Sequence, residues 1–348
     1  MRNILTIVFA LLISTVNGQS KELKRYYTVV SDAENYLLGG MYDSSLACYK
    51  EAFEIKKNPF ARHVFIATLV AAKLRDYGMM QQNLTSLIAL GMPLKKLQSI
   101  AGFNDFFLNS KEGRYLVKNA KKIKPLYHQS YRKAIFKLLQ KDQFFRKKEQ
   151  AYTKYADTIQ KIDKLNVASF NLLIKKHGFP TEQKIGIDSS FSFEPIYSAI
   201  ILHQSNGKLQ QYDFSELIRQ NVINGNLENR SGYFLFSRTS GFQFPDFLRV
   251  QQVKLIDSLK SKGNPDNHIV VNTSPWGVLP INKKDEERYN IMRDQFMLDK
   301  YSVMIKKSIF AVKNDNYIMM ESSSSKSTLL TFDEKSYNEQ KSVLSFFE

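Results

Sequence analysis

A spaced pattern of small and aromatic residues occurs twice, 35 residues apart, and it constrains the first third of the chain to paired helices. In the first copy Gly40, Tyr42, Ser45, Tyr49 and Ala52 are followed by Pro59. Steps of three and four residues place Ser45, Tyr49 and Ala52 on one helical face. Small residues let two helices approach, and aromatic rings fill the groove between them. In the second copy Tyr77, Met80, Leu84 and Leu87 take the same places, and Pro93 closes the unit. Between the copies, Phe60 to Arg75 is apolar on most faces (Val64, Phe65, Ala67, Leu69, Val70, Ala71), which predicts a central helix. Leu94, Leu97 and Ile100 continue the packing, and Phe103, Phe106 and Phe107 are expected to cap the open end.

The spacing resembles the second half of a tetratricopeptide repeat, with Ser45 where alanine is usual and a separation close to that repeat's 34-residue period. Any antiparallel helical hairpin is the alternative. The resemblance implies a groove for a protein partner; with only two units, a packing platform for the next domain is the competing expectation.

The chain has 348 residues, enough for about two domains. It opens with Met1-Arg2-Asn3, an apolar run from Ile4 to Ile13, and Ser14-Thr15-Val16-Asn17-Gly18. A basic start, a short apolar core and small residues read as a secretory signal peptide over 1–18, cleaved after Gly18. The run is too short to span a bilayer, which takes about 20 residues. The expectation is an exported protein, periplasmic or secreted, without a transmembrane segment. Cys48 is the single cysteine, which excludes a disulfide framework within the chain and a cysteine-built zinc site. The five histidines are scattered, so no metal is expected.

Lys and Arg number 50 against 33 Asp and Glu, and the excess is concentrated. From Lys111 to Lys148 there are 13 basic and 2 acidic residues. Export and the lack of a nucleic-acid motif argue against a nucleic-acid partner. An anionic lipid, an acidic envelope polymer or an acidic protein fits better, and a solvated basic surface is the plain alternative.

The second half also reads as helical: Tyr131 to Asp157 as one long helix, Ile162 to His177 as another stopped by Gly178 and Pro180, a loop from Thr181 to Ile187, then helices at Phe193–His203, Ser215–Asn224, Asn229–Arg238, Asp246–Lys260 and Asp285–Lys300. Beyond Lys300, the segments Ser302–Val312, Tyr317–Met320 and Ser327–Phe332 look strand-like, which predicts a small antiparallel hairpin or meander.

Within this half, Asp142-Gln143-x-x-Arg146, Asp163-x-x-Asn166, His177-Gly178-Phe179-Pro180, Ile185-Gly186 and His203 follow in order. The series resembles a bacterial domain family of unknown function across about residues 130–302, and it extends weakly through Ser237-Arg238, Gly241-x-Gln243 and Glu287-Arg288. Ser237 stands where that family has aspartate, and no Y-G-T follows Gln243. The resemblance implies a fold and a set of candidate residues, not a reaction.

The predicted architecture is mostly α: signal peptide 1–18, tetratricopeptide-like hairpins 19–116, a basic linker 117–129, a helical domain 130–302 and a β tail 303–348. Two functions are open. One is a non-catalytic interaction or scaffold protein using the hairpins or the basic surface. The other is a hydrolase or ligand-binding domain for an anionic or carbohydrate envelope component. There Asp142, Asp163 and His203 would be catalytic, as a carboxylate–histidine acid–base set or a carboxylate pair. Arg146, Asn166 and Arg238 would bind ligand. The same residues could instead only tie helices together. No G-x-S-x-G, H-E-x-x-H, phosphate-binding glycine loop or C-x-x-C is present, so no cofactor is expected.

Overall fold

The computed structural model describes residues 21–205, 212–240, 249–257, 269–273, 277–278, 281–314, 325–331, 334–342 and 345–346. They fall into two compact units, Met1–Phe242 with Phe296–Leu298, and Gln243–Gln295 with Asp299–Glu348. The proposed leader, the Gly241–Gln243 segment and Tyr317–Met320 lie outside the described residues. No helix among the described residues is long and apolar enough to cross a membrane.

The first unit is helical. It begins with α1 (21–38), α2 (Tyr42–Ile55), α3 (Ala61–Leu74) and α4 (Tyr77–Ala89). In α1, Tyr26, Val30, Ala33 and Leu37 are buried at helical spacing. The two sequence copies fall on α2 and α4. Ser45, Tyr49 and Ala52, like Met80, Leu84 and Leu87, are all fully buried. Gly40 makes the α1–α2 turn with φ +71°, a left-handed conformation that suits glycine. Asp76 caps α4 through the Met79 N–H. Helix α3 is buried along every residue from Ala61 to Ala71, so it has no free face.

Short helices α5 (Leu94–Gln98), α6 (Asn104–Asn109) and α7 (Lys111–Asn119) follow. Phe103, Phe106 and Phe107 are buried at this end, as expected. The stretch expected to be a linker lies inside the first unit. Leu126 N–H donates to the Ala89 carbonyl, and His128 N–H donates to that of Lys184.

Next come α8 (Gln129–Arg146), α9 (Ala151–Lys154), α10 (Ala156–His177), α11 (Glu182–Ile185), α12 (Ser198–Ser205), α13 (Ser215–Ile223) and α14 (Asn229–Thr239). The single helix expected over Tyr131–Asp157 is broken. Gln150 takes a left-handed φ of +53°, and Lys148 folds back over the rings of Phe144, Phe145 and Tyr155. Helices α8 and α10 therefore return antiparallel, with His177 stacked on Tyr131. Two motif pieces fasten the segment that follows α10. Tyr131 O–H donates to the Gly178 carbonyl, and Gly186 (φ +71°) passes so close to α4 that a Cβ would stand 2.4 Å from the Leu90 carbonyl oxygen.

The second unit contains β1 (Arg249–Asp257), β2 (Ile269–Thr273), β3 (Gly277–Val278), α15 (Lys283–Gln295), α16 (Tyr301–Lys313), β4 (Ser325–Thr331), α17 (Glu334–Ser342) and β5 (Ser345–Phe346). Three expectations are corrected here. The helix placed over Asp246–Lys260 is strand β1, whose Val250, Val253 and Ile256 favour extended backbone. It is paired along both edges, antiparallel to β2 and β3 and parallel to β4. Ser302–Val312 is helix α16, not a strand. Its buried residues Met304, Lys307, Ser308 and Ala311 have helical spacing. Among the described residues the C-terminal segment forms no antiparallel hairpin or meander of its own: β4 runs parallel to β1, with Arg249 opposite Ser325, and β5 pairs antiparallel with β3 far upstream.

Candidate functional site

The inward face of α8 is a stripe of Tyr131, Ile135 and Leu138 that ends on Asp142. Three donors hold that carboxylate. Gln143 Nε2 donates to Oδ2 at 2.7 Å. Arg146, one turn on, donates from Nη1 to Oδ1 at 3.2 Å and to the Asp142 carbonyl at 2.9 Å. His203, from α12, places Nδ1 2.9 Å from the same Oδ1. The second guanidinium nitrogen of Arg146 reaches both oxygens of Asp163 on α10, at 2.9 and 2.8 Å.

Asp142, Arg146, Asp163 and His203 thus converge where α8, α10 and α12 meet. Exposure rises outward: the Asp142 side chain is 1% exposed, that of Asp163 15% and that of His203 21%. Burial works against the charged form of Arg146, but its hydrogen bond to Asp163 and the charges of both carboxylates outweigh that, and its pKa stands above the ordinary value. An ionised carboxylate only accepts, so a neutral His203 carries its proton on Nδ1. Its Nε2 has no hydrogen-bond partner among the described residues and keeps its lone pair.

The other expected residues lie differently. Asn166 is buried one turn beyond Asp163, and its amide donates to the Leu138 carbonyl at 3.3 Å, fastening α10 to α8. Arg238 lies on α14 with its guanidinium over the ring of Phe234. Arg146 is consumed by the two carboxylates and is not presented to an anionic ligand. Asp142, Asp163 and His203 offer ligand atoms within 4.8 Å of one another, close enough for one cation. The guanidinium already bridges the carboxylates, so a cation would have to displace Arg146.

A second charged cluster in this unit was not foreseen. Arg62 and His63, both on α3, are buried beside Glu228 on the approach to α14. Arg62 Nε and His63 Nε2 each lie 3.8 Å from Glu228 Oε1. Arg62 also approaches Glu194 Oε1 at 3.7 Å. The Tyr26 hydroxyl is 2.6 Å from His63 Nδ1. Arg230 pairs with Glu34. Glu182 accepts from the Ala61 N–H at 2.9 Å. Burial pushes the Glu182 carboxyl up to about 7, only partly offset by that N–H. Glu228 is held below its ordinary value: burial alone would raise it, but Arg62, His63 and Arg230 more than compensate.

Glu182, Glu194, Glu228 and Ser231 line a cleft of about 20 Å³. A water needs about 10–15 Å³ on that scale, so the space suits one or two waters and excludes a sugar or peptide. The sequence signal for this cluster was Arg62-His63 inside a strongly apolar helix, where two polar residues need partners.

No family model matches the chain, and no curated protein or solved structure matches it.

Proposed function

We propose that this chain is an exported acid–base catalyst, a hydrolase of an envelope component, in which His203 moves the proton. The observation that carries the reading is the 2.9 Å contact of Nδ1 of the part-exposed His203 with buried Asp142, which leaves Nε2 without a partner among the described residues. Asp142 fixes the tautomer and orientation of the ring and stabilises the imidazolium that forms on proton uptake. Gln143 and Arg146 fix Asp142, and Asp163 fixes Arg146. His203 Nε2 takes a proton from a water or hydroxyl, which attacks an ester-type bond, and returns it to the leaving group. The basic, then apolar, opening of the chain supports export.

A glycosidase pair fits less well. Its two carboxylates must face substrate from opposite sides, whereas Asp142 is buried and shares Arg146 with Asp163. The hairpin-groove form of the scaffold reading is weakened by α3, which is buried from Ala61 to Ala71; burial of α3 does not bear on its basic-surface form.

The test is a panel of chromogenic esters, phosphoesters and glycosides. One ester or phosphoester class should be turned over, and kcat should fall about 10²–10⁴-fold in His203→Gln, the usual range for a lost general base. Undiminished turnover in His203→Gln would overturn the proposal. Turnover confined to glycosides and lost in Asp163→Asn would favour the carbohydrate reading.

A further inference from the structure

We propose that the outward face of the α8–α10 pair is a docking surface for an anionic phospholipid bilayer. Helices α8 and α10 pack on each other and each on α12, so their outward faces lie side by side. On α8, Lys133, Lys137 and Phe144 fall opposite the buried stripe, and Lys148 follows just past its end. On α10, Lys161, Leu165, Leu172 and Lys176 fall opposite buried Ile159, Val167 and Phe170. Between residues 129 and 177, ten lysines are exposed against two acids, Glu149 and Asp157. That excess calls for an anionic partner.

The apolar side chains decide between partners. Phe144 and Leu165 are each 59% exposed, Leu172 68% and Tyr152 69%. A soluble polyanion offers these groups nothing. A bilayer interface takes apolar side chains into the acyl boundary while lysines reach the headgroups along their aliphatic stems. The Lys148 ammonium lies 4.6 Å from the centre of the Phe144 ring, so a cation and a large apolar group are presented together. With no membrane-crossing helix among the described residues, the binding is peripheral and weakened by salt.

The experiment is cosedimentation of the full chain with phosphatidylcholine vesicles, with and without phosphatidylglycerol, at low and high salt. Binding is expected only with phosphatidylglycerol, and salt should reduce it. The charge-reversed pair Lys133→Glu with Lys137→Glu, and the apolar pair Leu165→Ser with Leu172→Ser, should each weaken binding about tenfold. All four positions are exposed, so circular dichroism should show unchanged folding. Absence of binding, or equal binding to neutral vesicles, overturns the proposal. Full binding by the serine pair overturns it too and assigns the face to a soluble anionic polymer. His203→Gln should bind vesicles like the unaltered chain, which separates this proposal from the acid–base reading.

Discussion

The first unit contains two charged clusters made from the same kinds of group, carboxylate, guanidinium and imidazole, and they differ in how far solvent reaches the histidine. Around Arg62, Glu228 is 4% exposed and His63 1%, and only Glu194 at the edge is part-exposed. Both histidine nitrogens there face groups of the protein, Tyr26 on one side and Glu228 on the other. Around Asp142 the carboxylate is as deep, but the histidine at its edge has one nitrogen held and one without a partner among the described residues. A histidine with both nitrogens engaged can lock helices together. One with a single nitrogen engaged is oriented and still has a lone pair to use. The difference assigns structure to the first cluster and chemistry to the second.

The largest expected effect lies in the deep cluster. Arg62→Met should destabilise the chain by about 3–5 kcal/mol in urea denaturation, because it leaves Glu228 buried without that cation. Arg146→Met should cost less, about 2 kcal/mol, since Asp163 can hydrate and Asp142 keeps Gln143 and His203. Equal costs would break the comparison, because the second cluster would then be as closed as the first.

The next effect depends on pH. The Glu182 carboxyl has an ordinary value of 4.5 and titrates at about 7 when folded. The folded state binds the extra proton between those values. Stability from this group is therefore complete below about pH 4.5, falls as pH rises to about 7 and is flat above. Glu182→Gln should remove that fall, worth on the order of 3 kcal/mol. Urea midpoints at several pH values would show it. An unchanged slope would mean that water reaches Glu182 freely and the cleft is more open than its volume implies.

The smallest stability effect is expected at the outer histidine. His203→Gln keeps a donor for Asp142 and should shift stability by less than about 1 kcal/mol. A larger loss would make His203 a helix fastener like His63.

The two clusters were unequally legible in the sequence. Asp142 and Arg146 stand four apart on one helix, so their contact follows from helical geometry alone. Asp163 and His203 are polar positions on apolar helices, which marks them as candidates. That Arg146 would take Asp163, and that His203 would take Asp142, depends on the antiparallel return of α10 and the crossing of α12. The deep cluster was harder to see. Arg230 and Glu34 are 196 residues apart, and Glu182 sat in a segment that read as a loop. The hairpins were readable because buried small and aromatic residues recur at helical spacing. Segment Ser302–Val312 reads as a strand because Val303, Ile305, Ile309 and Val312 are β-branched, whereas the spacing of Met304, Lys307, Ser308 and Ala311 is what packs α16. Strand β4 could not be paired from local pattern, because its partner β1 lies across α15 and α16 in the chain.

The central claim is that buried Asp142 holds His203 with its proton on Nδ1 and its lone pair on Nε2. Nitrogen-15 NMR of the histidine side chains, with His203→Gln to assign the signal, reads this directly. The account predicts a neutral ring protonated on Nδ1, and a shift toward mixed tautomers in Asp142→Asn, where the amide can donate as well as accept. A ring protonated on Nε2, or a tautomer unaffected by Asp142→Asn, would contradict it.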